Sequence, residues 1–311
     1  MVKFSICIPT YNRMYSLKRT LKSLEKQTFT DFEVIIVDDG STDNTEEQIK
    51  IFISSTKLKV RYVKKENGGK YTALNTGIKE ANGEFFLILD SDDYLTENAL
   101  KYLYNEWENV PDEEKENYCG VVGRCADQQG NLIGKPFPKD RFESSYVDFH
   151  FISGLKYGPY RDCCEFVKTS IIKQYSFPVN KDLKFIPEAY IFDQIGVNHK
   201  LLCTNEIVEI KEYLPDGITQ NVEQYKESNV IGYLLYYTIL LDYVFLETKE
   251  SVPMKSKAIV WWGYWKMVSK DIDKKGPRCQ HVSFLGRLIY LFRPILTSIY
   301  KVKRSKKIGL T

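Results

Sequence analysis

Over about the first hundred residues, four short apolar runs alternate with amphipathic stretches. Phe4-Ser5-Ile6-Cys7-Ile8 reads as a strand that Pro9-Thr10-Tyr11-Asn12 stops. From Arg13 to about Lys26, Met14, Leu17, Leu21 and Leu24 recur at helical spacing. Val34 to Val37 is a second buried strand, ending in Asp38-Asp39-Gly40-Ser41. A helix follows, with Thr42 or Asp43 as its cap and Glu46 and Glu47 in its first turn. Val60 to Val63 predicts a third strand, Glu66-Asn67-Gly68-Gly69 a loop, and Tyr71 to Lys79 a helix. Phe85 to Leu89 is apolar throughout, as in a strand buried on both faces, and it ends in Asp90-Ser91-Asp92-Asp93. Strands alternating with helices predict a parallel, right-handed βαβ sheet. Ligands of such sheets bind outside the carboxyl ends of the strands. Thr10-Tyr11, Asp38-Asp39 and Asp90 to Asp93 should therefore meet at one rim.

Beyond the helix predicted over Ala99 to Trp107, Pro111 to Asn117 reads as a charged surface loop and Cys119 to Arg124 as a strand. A hairpin-type turn at Asp127 to Asn131 leads into a less regular stretch holding Gly134, Pro136, Pro138, Gly158 and Pro159. From Glu223 the pattern turns to long helices. Val230 to Leu246 suits a buried helix, and Asp242 within it argues against a membrane span. Trp261, Trp262 and Trp265 fall in a further helical stretch, and Gly276-Pro277 breaks the chain. The end, from Phe284 through Lys301 to Lys307, is aromatic and basic. Such a segment either lies on an anionic membrane surface or packs on the domain with a basic tail. The expected organisation is a domain over residues 1–219 and a helical region over 220–311.

With 311 residues, 43% hydrophobic and 27% charged, the chain is sized for one large α/β domain plus an appendage. A net charge of +3 and the lack of a recognition motif give no reason to expect nucleic acid. The seven cysteines show no metal-type pairing. Met1-Val2-Lys3 leads into a strand without a signal peptide, which predicts a reduced, cytoplasmic setting. Asp90, Asp92 and Asp93 crowd like charges at a strand end, so a cation should offset them. Hard oxygen ligands suit Mg²⁺ or Mn²⁺ with a substrate phosphate; a solvated acidic turn before the next helix is the alternative.

Ser5-Ile6-Cys7-Ile8-Pro9-Thr10-Tyr11-Asn12, the run Val37 to Thr45, Asn67-Gly68-Gly69 with Ala73 to Gly77, and Leu89 to Asp93 occur in that order. The series resembles the GT-A domain of the family-2 glycosyltransferases. A looser likeness over residues 157–219 points to a bacterial branch that builds surface polysaccharides. The resemblance implies an inverting, metal-dependent transfer from a nucleotide-diphosphate sugar, expected to be a UDP-sugar, to a glycan or lipid-linked glycan. Thr10 and Tyr11 would meet the base, Asp39 the uracil or ribose, and Asp90 the ribose, with Ser91 beside it. Asp92 would hold Mn²⁺ or Mg²⁺, and Asp93 would orient its waters or cap a helix. Asn67 belongs to a loop whose glycines allow close approach, Lys70 would reach phosphate, and Asn75 would support the loop. The family's acidic pair is absent from Pro187 to Gln194, which leaves Asp193, then Glu188, as the expected base. Asp162 and Glu165 are more distant candidates. A processive synthase is disfavoured, since the Gln-x-x-Arg-Trp motif is missing. A catalytically silent nucleotide-sugar-binding scaffold is the alternative from another class.

Overall fold

The computed structural model describes residues 2–153, 162–181, 183–214, 217 and 229–248. Among these residues nine strands form one sheet: β1 (Phe4–Thr10), β2 (Phe32–Asp38), β3 (Lys59–Lys64), β4 (Phe85–Ile88), β5 (Tyr94–Leu95), β6 (Tyr118–Ala126), β7 (Phe142–Ser144), β8 (Cys163–Lys168) and β9 (Lys200–Ile210). Their order is β3-β2-β1-β4-β8-β6-β9-β5, with β7 also on β9. The β3-β2-β1-β4 portion is parallel, as the strand–helix alternation predicts. At β8 the direction reverses, because β8 runs antiparallel to both β4 and β6. β9 is again parallel to β6.

Alternation along the strands builds two cores. Phe4, Ile6 and Ile8 of β1, Val34 and Ile36 of β2, and Phe85 and Leu87 of β4 face one layer. There they meet Met14, Leu17, Leu21 and Leu24 of α1 (Met14–Glu25), Ile49 of α2 (Thr45–Ser55) and Leu100, Leu103 and Trp107 of α4 (Ala99–Glu108). Cys7, Ile35, Val37 and Phe86 point the other way, towards Tyr71, Leu74 and Ile78 of α3 (Lys70–Glu80) and towards Ile191 and Ile195 of the short helix Ala189–Ile195. Each fully buried side chain of this size contributes about 1.5–3 kcal/mol relative to exposure. α3 comes so close to β1 that a Cβ on Gly77 would lie 2.2 Å from Cys7 Sγ.

The helix Val230–Ile239 continues through a π-helical turn, Leu240–Val244, to Phe245–Glu247. Its Leu240, Leu241, Val244 and Phe245 close a third apolar cluster with Val147. This agrees with the buried helix expected there. The expected boundary after residue 219 falls within 218–228, outside the described residues, as do Trp261, Trp262, Trp265 and the basic end over 282–311. Among the described residues no helix is long and apolar enough to cross a membrane.

Candidate active site

The carboxyl ends of β1, β2 and β4 open into a cleft of about 590 Å³. Thr10, Tyr11, Asp39 and Asp90 to Asp93 all line it, as the strand endings predict. The far wall comes from Tyr146, Phe149, His150, Glu165, Glu188 and Phe192. Two loop ties hold the rim. Asn12 takes a left-handed backbone (φ 52°), and its Oδ1 accepts from the backbone N–H groups of Thr42 (2.8 Å) and Asp43 (3.3 Å). Asp38, fully buried, accepts from Ser41 N–H at 2.7 Å and from the Tyr62 hydroxyl at 2.5 Å, a turn-forming role.

The structure places the expected donor residues unequally. The Thr10 hydroxyl is buried with no hydrogen-bond partner among the described residues, a polar atom left for a ligand. Tyr11 stands 46% exposed at the rim, and Ser91 is buried within the cleft wall. Asp39 lines the cleft, but its carboxylate accepts from Gly68 N–H (3.0 Å), Gly69 N–H (2.7 Å) and Lys65 Nζ (2.6 Å). It therefore braces the glycine loop, in which Gly69 has φ +99°. Asn67 and Asn75 do not line the cleft. The Asn67 amide donates to Asp39 O at 2.9 Å. Asn75 exchanges two 2.9 Å hydrogen bonds with the Phe177 backbone, so it ties α3 to the segment that follows β8.

The carboxylates of the floor share two lysines. Lys70 bridges Asp90 and, at 2.8 Å, Glu188. Lys211 lies 2.7 Å from Asp93, 2.9 Å from Glu209 and 3.9 Å from Asp90. Asp93 also accepts from Glu212 N–H at 2.9 Å, so it anchors the chain leaving β9 and does not cap the helix that follows it. Burial alone would raise Asp90, but Lys70 and Lys211 more than offset this and hold it below the usual carboxylate range. Asp92 goes the other way: burial and then the charge of Asp90 raise it. Among the described residues it has no ion pair. Burial also pushes Glu165 up to about 8, with Glu188 and Glu209 adding to the effect.

A divalent cation fits this floor. Ligand oxygens of Asp90, Asp92 and Asp93 lie within 4.8 Å of one another. Arg13, Lys70 and Lys211 are the Lys and Arg side chains among the lining residues, against nine acidic ones (Asp39, Asp90, Asp92, Asp93, Asp162, Glu165, Glu188, Glu209 and Glu212), of which burial lets Glu165 and Asp93 hold their protons up to about 8. That imbalance favours a hard cation, with Asp92 as the carboxylate still to be neutralised.

Of the two expected bases, Glu188 lines the cleft with one oxygen on Lys70. Asp193 does not line it. Its side chain is fully buried in the middle of Ala189–Ile195, where Oδ1 lies 2.6 Å from His150 Nδ1 and Oδ2 accepts from the Tyr236 hydroxyl at 2.8 Å. Helical phase turns Asp193 away from the Ile191 and Ile195 face, and on its own side the segment Asp148–Ser153 and the helix Val230–Ile239 bury it through His150 and Tyr236. Lys211 and His150 were not singled out from the sequence. No local motif marks either, since both reach the cleft through contacts distant along the chain.

Residues 5–146 match the profile of the family described as Glycosyl transferase family 2. The poly(ribitol-phosphate) beta-N-acetylglucosaminyltransferase TarS of Staphylococcus aureus is 43% identical over 103 residues, 32% of this chain and 18% of that protein. Its solved 1–349 portion in complex with UDP-GlcNAc superimposes with a TM-score of 0.57 at 20% identity, covering 99% of this chain and 92% of that one. The GalNAc(5)-diNAcBac-PP-undecaprenol beta-1,3-glucosyltransferase of Campylobacter jejuni is 35% identical over 164 residues, 48% of each chain. The mannosyltransferase PcManGT of Pyrobaculum calidifontis, solved with GDP-Man and Mn²⁺, superimposes with a TM-score of 0.56 at 16% identity, covering 98% of this chain and 82% of that one. The chain thus spans about half or less of the curated relatives' length, and the structural likenesses show the GT-A fold. Residues 5–146 of this chain are a family-2 glycosyltransferase domain.

Proposed function

We propose that the chain transfers a sugar, with inversion, from a UDP-sugar to a hydroxyl of a glycan or lipid-linked glycan, using Mn²⁺ or Mg²⁺ held by Asp92. The observation that carries this reading is the convergence of Thr10, Tyr11, Asp90 and Asp92 with Lys70 in one cleft at the strand ends. The orphaned Thr10 hydroxyl and exposed Tyr11 ring suit a base and ribose. Lys70 and the acidic floor suit a diphosphate that arrives with a cation. When bound, that cation neutralises charge on the departing diphosphate. The names of the staphylococcal and Campylobacter relatives support a cell-surface glycan or an undecaprenol-linked acceptor. Six described cysteines are all free thiols, which supports a reducing, cytoplasmic location. The basic end would bring the enzyme to the inner membrane surface.

The test is UDP release from a panel of UDP-glucose, UDP-galactose and UDP-N-acetylglucosamine, with Mn²⁺ or with EDTA. Calorimetry of UDP binding accompanies it. Expected are turnover of at least one donor with Mn²⁺, and UDP affinity that falls on chelation. In Asp92→Ala the affinities with and without Mn²⁺ should converge, because phosphate beside uncompensated carboxylates is repelled. UDP binding without turnover of any donor would favour the silent scaffold. Equal UDP affinity with and without metal would remove the metal from the reading.

A further inference from the structure

We infer that His150, backed by Asp193 and Tyr236, is the group that takes the proton from the acceptor hydroxyl. This rests on the transferase reading above. Asp193 becomes a positioning residue, and His150 the catalytic one.

The geometry is that of a relay from a buried carboxylate to the cleft. Asp193 is fully buried, and both of its oxygens are engaged by described side chains, so an acceptor cannot reach it without displacing one of them. His150 covers it from the cleft side: its ring lines the cleft, and 32% of the side chain is exposed. A carboxylate oxygen only accepts, so Nδ1 donates to Asp193 Oδ1 across 2.6 Å. The neutral imidazole then carries its lone pair on Nε2. Tyr146, with ring centroid 6.2 Å away, and Phe149, 5.6 Å away, flank the ring and limit its rotation.

The step balances. The acceptor oxygen bonds to the anomeric carbon as its proton passes to His150 Nε2. The bond from that carbon to the diphosphate oxygen breaks, and its electron pair leaves with UDP. Asp193 stabilises the imidazolium that forms, and solvent later takes the proton. Tyr236 fixes the other carboxylate oxygen, so Asp193 cannot turn away from the imidazole.

The titratable groups facing His150 are Asp193 on its helix, Glu165 on β8 and Tyr146 on the preceding segment, with Tyr236 behind Asp193. Burial alone would lower His150, but Asp193, by charge and hydrogen bond, and then Glu165 raise it above the ordinary histidine value. A base must be neutral, so turnover should rise with pH through an acid limb lying above about 6.5.

The experiment measures UDP release against pH, with Mn²⁺, using whichever UDP-sugar of the panel is turned over fastest. His150→Gln should cut turnover by about 10²–10⁴-fold and erase the acid limb, while UDP affinity stays within about threefold. Asp193→Asn should move the limb to lower pH. Should that buried substitution unfold the chain, His150→Gln decides alone. Histidine NMR of the natural chain gives a readout free of turnover, since His150 should titrate above His199. Turnover that survives His150→Gln, or an acid limb lost only in Glu188→Gln, overturns the relay. A natural chain that releases UDP from no donor overturns the transferase reading, and the relay falls with it.

Discussion

Replacing Gly77 by alanine tests how α3 is seated on the sheet. In an open helix this change gains about 0.8–1 kcal/mol. Here the added Cβ would lie 2.2 Å from Cys7 Sγ and 3.2 Å from Cys7 Cβ, against the 3.5–4.0 Å of ordinary contact, so something must shift by more than an ångström. Cys7 cannot yield easily, because it is fully buried in β1 between β2 and β4. Overpacking of this kind costs about 1–3 kcal/mol. The upper end less the helix gain leaves a loss of about 2 kcal/mol for Gly77→Ala. Cys7→Ala alone should cost about 1 kcal/mol through the space it opens. Together the two changes should come within about 1 kcal/mol of the natural chain, a coupling of about 2 kcal/mol. Urea unfolding of all four proteins measures the cycle. Gly77→Ala at natural stability or above, or additive single effects, would refute the reasoning. UDP affinity should follow the same cycle, because α3 carries Lys70.

Lys70→Met keeps the stem and removes the charge between Asp90 and Glu188. The three side chains are about a third exposed, so the loss should lie between those of surface and buried pairs, about 2–3 kcal/mol by urea unfolding in EDTA. A loss under about 0.5 kcal/mol would show that the bridge is solvated and idle. Glu165 keeps its proton in the folded chain up to about 8 but loses it near the ordinary value when unfolded. The folded chain therefore binds the extra proton, and stability from this group declines as pH rises through that window. Glu165→Gln should melt progressively higher than the natural chain between pH 5 and 8; a constant difference would place the carboxyl in ordinary solvent.

The parallel part of the sheet was legible because each of its strands and helices is a local pattern. Apolar runs such as Val34 to Val37 bury both faces, and Leu17, Leu21 and Leu24 carry the helical period. The rim followed from topology, since residues at the ends of neighbouring parallel strands must lie side by side. What could not be read was partner choice. Asp39 has the residue type of a ligand-binding carboxylate, yet the glycine N–H groups next to Lys65 take its oxygens. Asn75 likewise spends its amide on Phe177. His150 lies in an irregular stretch without periodicity, and its partner Asp193 is 43 residues away. The reversal at β8 was equally silent, because a buried strand looks the same whichever way it runs.

Lys211 also places the cleft in time. It follows its partner Asp93 by 118 positions, and β9 immediately before it joins β6, β5 and β7. At ribosomal speeds of about 5–20 residues per second, the acidic rim is made roughly 6–24 s before the lysine that neutralises it. During that interval β1 to β4 can already associate, with Lys70 on Asp90, while Asp92 and Asp93 are served by water and dissolved ions. A nascent chain halted before Lys200 would show a free β6 edge and an open charge cluster. Completing β9 closes both in one docking event, so the last strand of the sheet sets when the newborn protein acquires its finished floor.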